Sequence, residues 1–284
     1  MIDHEAKLKD IISEIEATAE CDYNYFHGPS MMIPSRKEVI SILKNIQSLM
    51  FPDYFHLDEN KGKTGVEILD NVFIKIKRQI TAAYFFCRTD CALTADTESL
   101  AYDIISLIPS LKESLIKDIQ AIYEGDPAAR APEEIILSYP GFYAISIYRI
   151  AHEFYKRRIP YIARLMTEYA HQKTGIDIHA GATIGEYFFI DHGTGIVIGE
   201  TTTIGDHVKI YQGVTLGAKS FELDSDGNPV KGIKRHPDIG NNCVIYANAT
   251  ILGGNTKIGN NVTVGANVWL TNSVEDGKTV YYTK

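Results

Sequence analysis

The stretch IDHGTGIVIGE, at residues 190–200, places an aspartate and a histidine side by side among glycines, threonines and isoleucines. A neutral imidazole is the side chain best suited to accepting a proton near neutral pH. The surrounding residues pack without ionisable groups, and a lone histidine is more often a packed or surface residue than a catalytic one. Because Asp191 adjoins His192, we interpret His192 as a candidate general base.

Asp177 is a second acid that could act on this histidine. It lies fifteen residues before His192, a little less than the roughly 18 residues of one coil in a three-sided strand repeat. Neighbouring coils of such a repeat rise by about 4.8 Å, so a carboxylate one coil away can reach the imidazole. It would fix the tautomer of His192 and stabilise the imidazolium, as the third group of a catalytic triad does.

Asp118 is unusual because of its position in a helical pattern. At about 100° per residue, it points to the same side as Leu111, Leu115 and Ile122 in the segment LKESLIKDIQAIYE. A buried carboxylate needs a partner or a ligand, because an unpaired buried charge is costly. An interhelical hydrogen bond and a ligand contact both remain open.

Arg235 and His236 close a long polar stretch, GAKSFELDSDGNPVKGIKRHPD. An arginine there could bind a carboxylate through two hydrogen bonds. An exposed basic residue at the rim of a loop would look the same, so the pattern leaves the role of Arg235 open.

The first part of the chain has the apolar spacing of helices. Ser35 with Glu38, and Ser110 with Glu113 just after a proline, are capping boxes that predict two helix starts. Gly175 predicts the end of the last helix. Further helices are predicted in FYAISIYRIAHEFYKRR and PYIARLMTEYAHQKTG.

Beyond Gly175 a six-residue repeat replaces the helical spacing, which predicts a parallel β-helix whose aliphatic residues form one inner column. The register slips by two between Ile196 and Ile198. The polar stretch interrupts the repeat and is expected to project as a loop. The repeat positions are Ile178, Ile184, Ile190, Ile196, Ile198, Ile204, Ile210, Leu216, Ile239, Ile245, Ile251, Leu252, Ile258, Val264 and Leu270.

Two domains are therefore expected, in an α+β chain. Residues 1–174 form a helical N-terminal domain, and residues 175–284 form a β-helix with a projecting loop at about 218–237. The 284 residues, 45% of them hydrophobic, can bury a sizeable core.

The charge balance excludes several classes of partner. A formal net charge of −8 and a pI near 5.6 argue against a nucleic-acid or membrane partner and favour small ligands. With no membrane-spanning run, a cytoplasmic location is expected. Four cysteines are too few for a disulfide framework. Cys87 and Cys91, one helical turn apart, are expected to pack in a reduced protein rather than to form a metal or redox pair.

An ordered set of motifs gives the chain a family likeness. DIQAIYEGDPAA, GFYAISIYRIAHEFY, GIDIHAGATIG, IDHGTGIVIGE, YQGVTLGAK and KRHPDIG follow one another from about Asp118 to about Leu270. In this respect the chain resembles the bacterial-type serine O-acetyltransferases of the hexapeptide-repeat acyltransferase superfamily. The resemblance implies transfer of acetyl from acetyl-CoA to the hydroxyl of L-serine, which gives O-acetyl-L-serine and CoA, in L-cysteine biosynthesis.

The resemblance also implies a set of site residues. His192 matches the general base and Asp177 the aspartate that orients it. The substrate contacts it implies are Asp118, Asp191, Arg235 and His236. The contacts it implies for the acetyl-CoA co-substrate are Gly217, Ala218, Ala247 and Ala266; small residues of this kind allow close approach of a ligand to the backbone.

In assembly and regulation, the resemblance implies a left-handed β-helix and a homotrimer, or a dimer of trimers, with sites between subunits. His192 and His236 would then reach one site from different chains. Feedback inhibition by L-cysteine is a further expectation. Some members dock into cysteine synthase through a C-terminal isoleucine; this sequence ends SVEDGKTVYYTK, so that complex is not expected. No metal is implied.

Three other functions stay open at this point. The same fold could acetylate another hydroxyl acceptor, such as a sugar, although the N-terminal helices and Asp118 favour serine. A trimeric β-helix zinc enzyme needs three histidine ligands, and the histidines of the repeat region show no such pattern. A catalytically inactive scaffold is disfavoured by the intact set of Asp177, Asp191 and His192.

Overall fold

The computed structural model describes residues 4–21, 32–87 and 96–281. Within these ranges, helices occupy the first part of the chain and short parallel strands occupy the second. The helices are α1 (His4–Cys21), α2 (Arg36–Met50), α3 (Gly65–Phe86), α4 (Thr97–Ser106), α5 (Ile108–Gly125), α6 (Pro132–Ser138), α7 (Pro140–Lys156) and α8 (Ile162–Thr174).

Helix α2 begins as the sequence predicts. Ser35 is its N-cap, and the Ser35 hydroxyl accepts a hydrogen bond from the Glu38 backbone N–H. The reciprocal half of the box is absent, because Ser35 donates its own N–H to the side chain of Gln79 on α3 at 2.7 Å. The cap therefore also ties α2 to α3. Helix α8 ends as predicted, with Gly175 in the left-handed conformation at φ 70°.

The capping box predicted at Ser110 and Glu113 is wrong. Helix α5 begins at Ile108, with its proline in the first turn, and the N-cap Leu107 makes no side-chain cap. A proline is tolerated there because the first backbone N–H groups of a helix have no intrahelical acceptor. The Ser110 hydroxyl instead donates to the Leu107 carbonyl.

The second part is a parallel β-solenoid with three faces, as the six-residue repeat predicts. Ile178 pairs with Ile198, and Ile198 pairs with Leu216, so equivalent positions stack along the axis. The three sheets have the orders β1-β4-β7-β10-β13, β2-β5-β8-β11 and β3-β6-β9-β12-β14. The strands are β1 (Asp177–Ile178), β2 (Thr183–Ile184), β3 (Phe189–Asp191), β4 (Val197–Ile198), β5 (Thr203–Ile204), β6 (Lys209–Tyr211), β7 (Thr215–Gly217), β8 (Asp238–Ile239), β9 (Val244–Ile245), β10 (Thr250–Leu252), β11 (Lys257–Ile258), β12 (Thr263–Val264), β13 (Trp269–Leu270) and β14 (Thr279–Val280).

Residues in excess of the regular repeat lie outside the stacked column of inward aliphatic side chains. On the first coil, the next inward residue after Ile190 is Ile198, eight positions later. On the second coil, the next inward residue after Ile210, the partner of Ile190, is Leu216, only six positions later. The first coil therefore has two more residues at this corner, which accounts for the register slip in the sequence. The polar stretch lies between β7 and β8, as expected for a loop.

Helix α7 covers the open edge of the first coil, whose strands have no further strand above them. The Tyr148 hydroxyl donates to the Ala182 carbonyl at 2.5 Å. Arg149 donates to the Gly185 carbonyl at 2.8 Å. These bonds satisfy carbonyl groups that an uncovered edge strand would leave unpaired. One hydrophobic core joins the helices to the coils.

The expectation for Cys87 is wrong. Helix α3 ends at Phe86, Cys87 has an extended backbone, and Cys87 is disulfide-bonded rather than reduced. Cys91 lies outside the described residues. No helix in the described part of the chain is long and apolar enough to span a membrane.

Candidate active site

His192 sits on the corner that carries the two extra residues. Its backbone has φ 57°, and Gly193 follows with φ 94°. The left-handed region is uncommon for residues other than glycine and asparagine, but in this solenoid it recurs at corners, for example at Tyr187 and His207. The bulge holds the imidazole away from the core, with 73% of the side chain exposed in the single chain. His192 is therefore exposed at the corner rather than packed in the core.

Two charged groups flank this imidazole. The His192 Nε2 atom lies 3.8 Å from a carboxylate oxygen of Asp191. The ammonium group of Lys209, on the next coil, lies 3.8 Å from the other Asp191 oxygen. Lys209 also donates to the Gly125 carbonyl at 2.9 Å, at the end of α5. The bond from Lys209 thus brings the C-terminal end of a helix to the corner.

Asp126 is a site residue that the sequence reasoning missed. It follows α5, and its carboxylate accepts hydrogen bonds from the Tyr139 hydroxyl at 2.7 Å and from the Ala128 N–H at 2.8 Å. Its pKa lies below the ordinary value, first because of the Tyr139 bond and further because of Lys209 and His192. The signal was present in DIQAIYEGDPAA, where the second aspartate, rather than the first, lies at the open end of the helix.

Asp177 lies at the other end of the same coil as His192, not in the coil before it. The Asp177 backbone N–H donates to the Ile196 carbonyl at 2.9 Å, and Gly195 donates to Gly175 at 2.8 Å. These bonds hold the segment after His192 against the segment that carries Asp177. Among the described residues, the carboxylate in ion-pair range of the imidazole is that of Asp191 rather than Asp177.

Asp118 is buried between the helices and the first coil, and the structure does not support it as a substrate contact. Its side chain has no exposed surface. Its oxygens accept from Arg149 at 2.6 and 2.7 Å and from the Phe188 N–H at 2.9 Å. Burial raises the pKa of Asp118, while the Arg149 guanidinium and the Phe188 N–H act against that rise. The interhelical bond, left open above, is the interpretation that fits.

Arg235 and His236 lie together on a different corner of the solenoid. An Arg235 nitrogen lies 2.5 Å from a Glu200 carboxylate oxygen. The His236 ring is 8% exposed and packs over Gly199, where a Cβ atom would overlap it. Both residues are held by the first residues after β4.

The protonation of His236 follows from its contacts. Its Nδ1 atom accepts the Thr201 backbone N–H at 3.1 Å and lies 2.9 Å from the Thr201 hydroxyl. Burial, and then the charge of Arg235, lower the pKa of His236 to about 4. The ring is therefore neutral at ordinary pH, with its proton on Nε2, and can act as a hydrogen-bond donor.

The small residues expected to contact acetyl-CoA divide between the same two corners. By strand register, Ala247 and Ala266 occupy the corner of His192 on the third and fourth coils. Gly217 ends β7 and pairs with Leu252, and Ala218 follows it towards the Arg235 corner. Within one chain, each corner thus carries part of the expected set. In the described ranges, no group of three His, Cys, Asp or Glu side chains is placed to hold a metal ion.

Comparison with known proteins identifies the family. The family model described as serine acetyltransferase, N-terminal, matches residues 89–146. A protein of Synechococcus elongatus named "Serine acetyltransferase, plasmid" is 43% identical over an alignment of 260 positions that covers 87% of this chain and 81% of that protein. The chain belongs to the serine acetyltransferases.

Two solved structures of this family extend the comparison. Serine acetyltransferase 1 of Entamoeba histolytica in complex with L-cysteine has 40% identity and a TM-score of 0.72, over 84% of this chain and 86% of that chain. A serine acetyltransferase in complex with CoA has 25% identity and a TM-score of 0.55, over 85% of this chain and 96% of that chain. The solenoid and the helices that cover it are therefore shared with serine acetyltransferases of known structure.

The buried position of Asp118 generates a prediction. Replacing Asp118 with asparagine leaves the Arg149 charge buried without its counter-ion, which we expect to lower the free energy of unfolding by about 3–5 kcal/mol. Chemical denaturation measures this loss, and the exposed Asp103→Asn is the control. The folded variant should keep its KM for L-serine. A raised KM with unchanged stability would return Asp118 to the substrate site.

Proposed function

We propose that this serine acetyltransferase transfers acetyl from acetyl-CoA to the hydroxyl of L-serine, with His192 as the general base. The product is O-acetyl-L-serine, on the route to L-cysteine. The observation that carries the residue assignment is the two-residue bulge, which exposes His192 beside Asp191 in a chain of this family, with the Asp126 carboxylate within electrostatic range. Acetyl transfer to a sugar hydroxyl has no comparable support.

The chemistry requires one proton to move twice. The His192 imidazole removes the proton of the serine hydroxyl as the hydroxyl oxygen attacks the thioester carbonyl carbon. A tetrahedral intermediate forms; its carbon–sulfur bond then breaks, and the imidazolium returns the proton to the departing thiolate. No covalent acyl-enzyme is needed, because holding both substrates at one site supplies proximity.

The charges near His192 suit the amino group of serine. Asp126 and Asp191 both offer carboxylate oxygens with free lone pairs, which are acceptors for an ammonium group. Asp191, 17% exposed, also lies beside the imidazole and can stabilise the imidazolium. In this proposal the Asp177 carboxylate orients the imidazole of His192 and stabilises the imidazolium, as the resemblance to the family implies.

The other corner suits the remaining groups of the substrates. Arg235 can bind the serine carboxylate through two parallel hydrogen bonds. The neutral His236 can donate its Nε2 proton to a substrate oxygen, because its Nδ1 is already an acceptor. The CoA arm would run along the corners that carry Ala247 and Ala266, where small side chains let a ligand reach the backbone.

The division of the site between two corners supports a homotrimer. His192 lies between the sheet of β3 and the sheet of β1, whereas His236 lies next to β8, on the corner after β4. One rigid chain cannot turn both corners towards one serine. A three-fold axis parallel to the solenoid would place the His192 corner of one chain against the His236 corner of the next. Pairing of two such trimers is a further step of the same proposal.

Removal of the base tests the mechanism. We expect His192→Ala to lower kcat by about 10²- to 10⁴-fold, the usual contribution of a general base. Release of CoA thiol with L-serine as acceptor measures it, and His207→Ala, a histidine at a different corner, should keep the normal rate. Equal rates for His192→Ala and the unaltered enzyme would remove His192 from this role.

Mixing two inactive variants tests the shared site. His192→Ala and His236→Ala chains, each of low activity, should regain up to about a third of wild-type activity when unfolded and refolded together, because mixed trimers contain some sites with both histidines. The same variants refolded separately and then mixed are the control. Failure to regain activity in demonstrably mixed trimers would place both histidines in one chain.

L-cysteine should compete with L-serine. It carries the same ammonium and carboxylate groups, and a relative of known structure was solved with L-cysteine. Raising L-cysteine should increase the KM for L-serine and leave kcat unchanged in initial-rate measurements, whereas L-alanine, which lacks the thiol, should inhibit more weakly. Inhibition that L-serine cannot overcome would exclude binding at the serine pocket.

A further inference from the structure

A hydrogen-bonded pair links helix α7 to the loop arginine. The Tyr155 hydroxyl donates to one carboxylate oxygen of Glu200 at 2.8 Å. The other oxygen of Glu200 accepts from an Arg235 nitrogen at 2.5 Å. Glu200 thus uses one oxygen for the helix and the other for the guanidinium, and the three side chains form one chain of contacts.

The position of Tyr155 is fixed by the attachment of helix α7 to the first coil and by the space at Gly181. Helix α7 is already attached to the first coil by Tyr148 and by His152, whose Nδ1 lies 2.7 Å from the Ala180 carbonyl. Tyr155 lies on the same face, one turn further along. Gly181 leaves the space for it, because a Cβ there would lie 2.7 Å from the Tyr155 ring and 2.9 Å from Cγ of Glu200.

The backbone of the arginine is fixed separately. Thr201 accepts the backbone N–H groups of Arg235 and His236 at 3.0 and 3.1 Å. The guanidinium lies three rotatable bonds beyond Cβ, so these backbone bonds do not determine its orientation. Its own contacts are the Glu200 oxygen and a longer bond of 3.4 Å to the Ile233 carbonyl. Glu200 is therefore the group that sets the orientation of the Arg235 guanidinium.

The ionisation of Glu200 is consistent with this role. Burial alone would raise its pKa, but the hydrogen bonds from Tyr155 and Arg235 outweigh burial, and the pKa lies below the ordinary value. Burial, and then the bond to Glu200, raise the pKa of Tyr155 to about 12. The phenol thus remains a donor and the carboxylate remains charged throughout the neutral range.

We propose that Tyr155 and Glu200 are positioning residues that orient Arg235 for the carboxylate of the amino acid substrate. This inference rests on the function proposed above. A guanidinium binds a carboxylate strongly only when its planar fork faces both oxygens, so its direction sets substrate affinity. Helix α7, which covers the solenoid, thereby also determines how the substrate's carboxylate is held.

Steady-state kinetics with two acceptors test the proposal. Glu200→Gln should raise the KM for L-serine by about tenfold and change kcat by less than about threefold, because one charge-assisted hydrogen bond is lost. Tyr155→Phe should raise the same KM by a smaller factor. L-Serinamide keeps the hydroxyl and ammonium groups but lacks the carboxylate, so its kcat/KM should be the same for the variants and the unaltered enzyme.

A neighbouring ion pair provides the matched control. The Lys234 ammonium lies 2.5 Å from an Asp238 oxygen at the same end of the loop, and Asp238→Asn should leave the KM for L-serine unchanged. A double variant separates orientation from general damage: in an Arg235→Ala background, Glu200→Gln should cause no further rise in KM. A further rise there, or equal losses with L-serine and L-serinamide, would overturn the proposal.

Failure of this proposal is distinguishable from failure of the function itself. If the unaltered enzyme does not acetylate L-serine, the proposed function fails. If it does, and the KM for L-serine is unaffected by Glu200→Gln, only the positioning role is excluded. Thermal unfolding of each variant confirms that the compared proteins are folded.

Discussion

The stacking of one aliphatic column inside the solenoid is the constraint on which the rest of the structure depends. Each inward residue must lie above its equivalent on the next coil, at the strand spacing of about 4.8 Å. Ile178, Ile198, Leu216, Ile251 and Leu270 satisfy this on one face. The column therefore fixes where every strand begins, and a coil with additional residues must place them at a corner. The exposed histidine and the projecting loop both occur where such residues are placed.

The first coil imposes a second requirement, because its edge would otherwise present unpaired carbonyl groups. Helix α7 supplies donors from Tyr148 and Arg149, and the buried Asp118 holds the Arg149 guanidinium from the other side. A charge placed so deep is tolerated only because Arg149, Asp118 and backbone groups satisfy one another. The same helix carries Tyr155 towards Glu200. The covering of the edge and the geometry of the corner that carries Arg235 are thus parts of one arrangement.

Much of the fold could be predicted from the sequence, because the helical and six-residue periods are local and repeated. The register slip at Ile198 was visible, but a period alone cannot show that the two extra residues form a bulge that exposes His192. Asp118 was recognised as unusual, yet its partner Arg149 lies 31 residues away and only packing brings them together. Asp126 follows the last residue of α5 with an extended backbone, so the helical geometry that singled out Asp118 does not apply to it. The Ser110 capping box failed because a proline can occupy the first turn of a helix.

The two-residue bulge also has a consequence for how such a protein can change over evolution. The corner of the proposed general base belongs to the first coil, directly under the helices, whereas Ala247 and Ala266 occupy equivalent positions on later coils. Because each coil stacks on the one before it, coils added or removed at the far end would change the number of such positions without displacing His192. The bulge would change in length without disturbing the coils below, because its residues lie outside the aliphatic column. The exposed corner and the number of coils are thus separately variable parts of one continuous repeat.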